Sequence, residues 1–292
     1  MKRLHKIILL CLSFFLIISN VYAAEIELFL QAGNFAFDDS GDLQQKKPKF
    51  GFGFSISEQI RGNIIGNIAF DSDPLNGNLL KARIKYQLPY LELSLGPSFG
   101  IFNSGSDKDK YDISIFMQPG LGIGFTIRFP GIFFAGADCD FALSPPQVFE
   151  GQVFLQQGSI TLGVYLPNIL LSAKVTQKNN TLMTNADPRV KTATDYGIYT
   201  EAFKKGSPFR GSVNFIYRIL NFHAGSASTA NKEIANLIVG GGLTWSPNIN
   251  MSIYVQGNGC IYSFSLADEV DGLNKFMFEA KAGVIFVIGG NR

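Results

Sequence analysis

Several things are scarce in this chain of 292 residues, and each scarcity removes a class of protein. Charged residues make up only 16% of it, against about 25% in ordinary soluble domains. The formal charge is +2, so there is no basic field of the kind that nucleic acid requires. Histidine occurs twice and only once beyond residue 23, as His223, which leaves imidazole catalysis and zinc ligation little to work with. Cysteine occurs three times. Cys11 lies in the leader, so Cys139 and Cys260 alone remain, too few for a disulfide-stapled scaffold. No phosphate-binding loop, zinc-ligand spacing or paired-cysteine motif is present. Beyond residue 23 no run of 18 apolar residues exists, which excludes a membrane-spanning helix.

The N-terminus accounts for the one apolar run there is. Lys2, Arg3 and Lys6 precede an apolar stretch from Ile7 to Ile18, and Val21-Tyr22-Ala23 supplies small residues at the A-x-A positions. This is the layout of a secretory signal peptide. Residues 1–23 are expected to be cleaved, leaving a domain of residues 24–292 with a formal charge of −1. A lipoprotein reading of Cys11 is weakened by the bulky Leu10 before it. The whole chain is 46% apolar and rich in Phe (27) and Gly (31). Export, high apolar content and the lack of a spanning helix point to a β-barrel that faces lipid outward.

Proline marks a repeat. Five short turn signals, around Pro89, Pro130, Pro167, Pro208 and Pro247, recur every 37 to 41 residues. Proline lacks an N–H and belongs in turns and at strand ends. Longer polar stretches lie between them: Ser104 to Lys110, Ser144 to Gly151, Asn179 to Thr194, His223 to Lys232 and Ser265 to Asn274. With Asp38 to Lys47 and Asp73 to Asn78 as earlier long loops, and Ser57-Glu58-Gln59 as the first tight turn, the pattern predicts fourteen strands. The expected fold is therefore all-β, a transmembrane up-and-down antiparallel barrel with short periplasmic turns and longer outer loops. A propeller also has a period near 40 but needs four short strands in each.

Alternation supports a barrel wall. Leu80, Ala82, Ile84, Tyr86 and Leu88 oppose Lys81, Arg83, Lys85 and Gln87. Leu91, Leu93, Leu95, Phe99 and Ile101 oppose Glu92, Ser94 and Ser98. Phe209, Val213, Phe215, Tyr217 and Ile219 oppose Arg210, Ser212, Asn214 and Arg218. Such stripes on nearly every strand exceed what the single core of a soluble β-sandwich needs. Tyr86, Tyr90, Phe129, Tyr165 and Trp245 gather near the tight turns, as an interfacial girdle would. Pro97 and Pro119 fall inside strands and predict a local break in pairing, and the mixed pattern of Val153 to Gln156 predicts a bulge or a raised strand end. Cys139 is expected to face lipid and Cys260 the interior on the opposite wall, so the two should not be bonded.

The inward polar set is the candidate functional surface: Arg61, Lys81, Arg83, Lys85, Glu92, Arg128, Asp138, Asp140, Lys174, Arg210, Arg218, Glu279 and Lys281, with Glu201 beside it. These residues suit either a water-filled pore or a lumen closed by salt bridges. Asp38-Asp39-Ser40-Gly41-Asp42 lacks a distal glutamate at calcium-loop spacing and reads as a solvated loop. No metal or cofactor is expected, and His223 reads as a loop histidine rather than a catalytic one.

The layout resembles bacterial outer-membrane porins of the small monomeric kind, across the whole mature chain as architecture. One motif carries the resemblance locally. Lys281, Gly283, Phe286 and Ile288 match the terminal-strand signal read by barrel-assembly machinery, although porins commonly end in an aromatic residue and this chain ends in Gly289-Gly290-Asn291-Arg292. The resemblance implies an integral outer-membrane protein, exported through the general secretory pathway, with outer-membrane lipids, the assembly machinery and small hydrophilic solutes as its partners, and no nucleic acid. It implies passive diffusion rather than catalysis. A non-conducting barrel that acts through its outer loops, and an enzyme at His223, are the other readings.

Overall fold

The computed structural model describes residues 24–37, 43, 48–73, 77–103, 115–142, 155–182, 189–224, 232–266 and 276–289. The signal sequence, most of each long loop, the acidic run at Asp38–Asp42 and the last three residues lie outside these.

Fourteen strands form one closed antiparallel barrel. They are β1 (Ala24–Gly33), β2 (Lys49–Arg61), β3 (Ile64–Asp73), β4 (Gly77–Gln87), β5 (Leu91–Asn103), β6 (Ile115–Phe129) and β7 (Phe133–Ala142). The second half comprises β8 (Leu155–Leu166), β9 (Ile169–Leu182), β10 (Arg189–Phe203), β11 (Phe209–Ala224), β12 (Lys232–Asn248), β13 (Met251–Ser265) and β14 (Phe278–Ile288). Each strand pairs with its chain neighbours, and β1 pairs with β14 from Ala24↔Ile288 to Gly33↔Glu279, which closes the sheet. No edge strand is left to aggregate.

Alternation sets the two faces. The outward positions hold large apolar side chains open to the surroundings, among them Leu30 (69% exposed), Ile84 (60%), Ile160 (64%) and Phe215 (58%). A continuous wall of this kind is unfavourable in water and stable in hydrocarbon. Tyr86, Tyr90, Phe129 and Trp245 lie exposed around the tight-turn rim as the girdle predicts, and Tyr90 stacks on Phe129 at 5.5 Å. Tyr165 does not join them. It sits between outward Val164 and Leu166, so alternation turns it inward, where it packs 5.6 Å from Phe134.

The turns show three departures from the sequence reading. The first tight turn is Gly62-Asn63, not Ser57-Glu58-Gln59; Gly62 takes φ 53° there, which a two-residue hairpin turn demands, and β2 runs on to Arg61. The last tight turn is Ile249-Asn250, because Pro247 lies in a bulge near the end of β12, where the register slips between Trp245 and Asn248 and no ladder donor is needed. The predicted loop from Asn179 to Thr194 is mostly strand: β9 and β10 stay paired out to Leu182↔Arg189. Polar residues on both faces hide a strand extending beyond the apolar band.

The expected irregularities occur in part: pairing breaks between β4 and β5, not between β5 and β6. The β4–β5 ladder skips from Lys81↔Ser98 to Ile84↔Leu95, on either side of Pro97. Pro119 lies just beyond the Gly120↔Ala142 end of the β6–β7 ladder, although β5 and β6 pair straight through it. The register shift between Asp140 and Phe141 places a bulge at Gln156.

Candidate functional site

The barrel interior is polar, and two sets of ion pairs organise it. The first set links β4 to β7 across the two strands between them. Lys81 Nζ lies 2.6 Å from Asp140 Oδ2, and Arg83 Nη2 donates to Asp140 Oδ1 at 2.5 Å. Arg83 also pairs with Asp138. The Asp140 side chain is fully buried. Glycines on the inward faces of β5 and β6 make this reach possible. A Cβ on Gly122 would stand 2.5 Å from Arg83 Nε and from Asp140 Oδ1, and one on Gly96 would stand 2.0 Å from the Ala82 carbonyl. Lys85 and Arg128 share Glu92 at 3.8 and 4.0 Å, long contacts with an exposed Arg128, which contribute little.

The second set centres on Arg218 of β11. Its Nε and Nη2 donate to Asp195 of β10 at 2.7 and 2.8 Å, and Nη1 pairs with Glu279 of β14. This fork geometry is what guanidinium offers and ammonium does not. Nearby, Lys281 lies 3.6 Å over the Phe29 ring and 3.5 Å from Glu27, which also accepts from Tyr254 Oη at 2.5 Å. Gly283 leaves room for that tyrosine, since a Cβ there would stand 2.6 Å from its hydroxyl. Two members of the terminal-strand motif, Lys281 and Gly283, thus also shape the interior, while Phe286 and Ile288 face outward.

An ion pair between described residues also crosses the barrel. Lys178 Nζ of β9 lies 2.9 Å from Asp73 Oδ2 of β3, six strands away. Beside it, Gln31 donates to Asp71 at 2.8 Å and to the Ser72 carbonyl at 3.0 Å. Two cavities adjoin this layer. One, of about 170 Å³, is lined by Gln31, Asp73, Lys178, Asp195, Arg218 and Glu279. A larger one of about 710 Å³ lies toward the tight-turn end, lined among others by Glu25, Glu27, Lys81, Arg83, Glu92 and Asp138.

The segment that directly follows β1 turns into the barrel. After β1, Phe35, Ala36 and Phe37 are each no more than 4% exposed. Phe35 packs with Ile216, Ile238 and Met277 and lies 5.0 Å from the Arg218 guanidinium; Phe37 packs with Leu220, Phe222 and Ile234. Asn34 fastens the segment, donating to the Phe276 carbonyl at 3.2 Å and accepting from the Phe278 amide at 2.8 Å. This apolar segment packs into the interior against the β10–β13 side of the wall.

The sequence-predicted residues fall into place unevenly. Lys81, Arg83, Asp138, Asp140, Arg218, Glu279 and Lys281 meet in the two sets, and Lys85, Glu92 and Arg128 form the loose group. Arg210 pairs with Glu201 at 3.7 Å near the tight turns, with its side chain 61% exposed. Arg61 lies exposed at the end of β2, beside Gly62-Asn63, and lines neither cavity. Lys174 lies inward on β9 opposite Thr161 and Gly197. Sequence reasoning missed Lys178, Asp71, Asp73 and Asp195, and it missed the Phe35–Phe37 segment. His223 is exposed near the end of β11, opposite Val190. Cys139 and Cys260 are both free; Cys260 packs against the cluster around Phe35.

No protein-family model and no curated protein sequence matches the chain. Among solved structures, the monoaromatic hydrocarbon channel CymD superposes with a TM-score of 0.51 at 9% identity, over 91% of this chain and 88% of that one. The anion-selective porin from Comamonas acidovorans aligns at 9% identity with a TM-score of 0.42, over 91% of this chain and 98% of its own. OmpF of Salmonella typhi, in a complex with daunomycin, aligns at 15% identity with a TM-score of 0.41, over 91% and 97%. At these identities the likeness is one of fold: the architecture is that of the porin-type outer-membrane barrel.

Proposed function

We propose that this protein is a porin-like channel of narrow bore, an integral outer-membrane protein that lets small hydrophilic solutes or ions diffuse passively. The carrying observation is the interior: a charged, ion-paired lining around two cavities, enclosed by an apolar outer wall. A barrel needing only stability gains little from such a lining. Replacing buried ion pairs with packed apolar residues is often neutral or stabilising, whereas a water-filled route requires polar walls. Export follows from the leader at residues 1–23, and insertion from the terminal-strand motif at Lys281, Gly283, Phe286 and Ile288. Diffusion calls on no cofactor and no catalysis.

The test is osmotic swelling of liposomes carrying the purified barrel. Swelling in glycerol and glycine, slowing sharply for sucrose, is the expected result. Liposomes that respond like protein-free ones in every solute would defeat the proposal. The inward Phe35–Phe37 segment favours one second reading, a non-conducting barrel that acts through its outer loops, and that reading predicts the flat response.

A further inference from the structure

We infer that Lys174 forms a binding site for small inorganic anions at the narrowest level of the lumen and sets the channel's ion preference; this rests on the channel reading above. Three observations meet at this residue. The first is its level. Two residues further along β9, Thr176 lines the smaller cavity together with Lys178, while Leu170 and the cross-strand Thr161 line the larger. Lys174 therefore stands between the two chambers.

The second is the pinch. Cα atoms of β9 come within 8 Å of β4 and β5, which are five and four strands away around the wall. Such an approach flattens the barrel, bringing β9 toward the β4–β5 wall.

The third is charge. The other inward cations near this level are already engaged: Lys81 and Arg83 by Asp138 and Asp140, Lys178 by Asp73 and Arg218 by Asp195 and Glu279. Lys174 has no carboxylate at ion-pair distance among the described residues, and its charged surroundings are Lys178, Lys81, Asp138 and Asp195. Asp138 and Asp195 are committed to Arg83 and Arg218. A half-buried ammonium without a counter-ion, at a constriction, draws its counter-ion from the solution that passes. The ammonium attracts the anion electrostatically, and the threonines at positions 161 and 176 place hydroxyl donors on the same face.

The experiment is the reversal potential of the full mature barrel in a planar bilayer under a potassium chloride gradient. The wild type is expected to pass chloride in preference to potassium. Lys174→Gln should lower the chloride-to-potassium permeability ratio by up to roughly thirtyfold, because one unit charge about 4 Å away in a water-like medium favours chloride roughly fivefold and disfavours potassium by the same factor. Lys174→Arg should preserve the ratio. A conducting Lys174→Gln barrel with the wild-type ratio would overturn this inference and leave the channel reading standing. Absence of conductance in the wild type would overturn both. Should Lys174→Gln not reach the compact, heat-modifiable form, Lys174→Cys can be folded with Cys139 and Cys260 replaced by serine and then modified. A cationic thiol reagent should restore the chloride preference and an anionic one abolish it; equal ratios after both would refute the assignment.

Discussion

Arg218→Met removes the centre of the second ion-pair set and leaves its partners behind. The arginine side chain is 7% exposed, and it holds Asp195 through two hydrogen bonds and Glu279 through a third contact. Removing one member of a buried pair costs about 3–5 kcal/mol, most of it from stranding the remaining charge. The Asp195 and Glu279 side chains keep 17% and 22% of their exposure, so partial hydration trims the loss to about 3 kcal/mol. With a denaturation slope of about 3 kcal/mol per molar, the urea midpoint falls by about 1 M. Trp245 is the sole tryptophan and lies outward on β12, so its emission follows unfolding of the refolded barrel in detergent without added labels. Arg210→Met is the internal control. That side chain is 61% exposed and 3.7 Å from Glu201, so its loss should cost below about 1 kcal/mol. Adding Asp195→Asn to Arg218→Met should recover part of the loss. Equal midpoints for Arg218→Met and wild type would refute the view that this arginine binds the interior together.

Three further outcomes follow from the same geometry. Gly122→Val sets a branched side chain where even a Cβ would stand 2.5 Å from Arg83 and Asp140, so the variant should lose heat-modifiable migration on a gel, whereas Gly211→Ala, with nothing within 4 Å of the added carbon, should keep it. Phe35→Ala should raise the rate at which Cys260 reacts with a hydrophilic thiol reagent roughly tenfold and leave Cys139, which faces outward, unchanged; equal Cys260 rates would show that Phe35 does not shield it. Asp138→Asn combined with Asp140→Asn should lower stability by about 2–4 kcal/mol in the same urea assay, because Arg83, only 4% exposed at its side chain, loses both partners.

The wall was legible because lipid imposes the simplest rule a sequence can carry. Every strand that crosses must alternate, and Lys81-Ala82-Arg83-Ile84-Lys85-Tyr86 does so without exception. The prolines gave the count, since a residue without an N–H collects where the ladder ends. That signal also misled: Pro247 satisfies the same rule inside a bulge, so the turn fell two residues later at Ile249-Asn250. Gly62-Asn63 was the better turn signal at β2–β3, and its dipeptide was readable.

The interior was legible only in part, for two physical reasons. Strands here continue past the apolar band, and there both faces are polar. Asp73 and Lys191 were therefore read as loop, and Lys178 and Asp195 as its margins, although Lys174, Thr176 and Lys178 keep one parity. Following that parity would have found the Lys178–Asp73 bridge as a candidate. The glycines at 120, 122 and 124 also carried a readable signal, since they alternate with Leu121, Ile123 and Phe125 and leave one inward face bare. The inward turn of Asn34 to Phe37 carried none, because it depends on apolar partners from β10 to β14 that come together only when the barrel closes.

The most direct test of the central claim is single-channel recording from the full mature barrel in planar bilayers, comparing wild type with Lys178→Ala and Asp73→Ala. The account predicts small, stable conductance steps for the wild type and larger steps once the 2.9 Å cross-barrel bridge is removed. A barrel shown to be folded that stays silent in all three forms would contradict it.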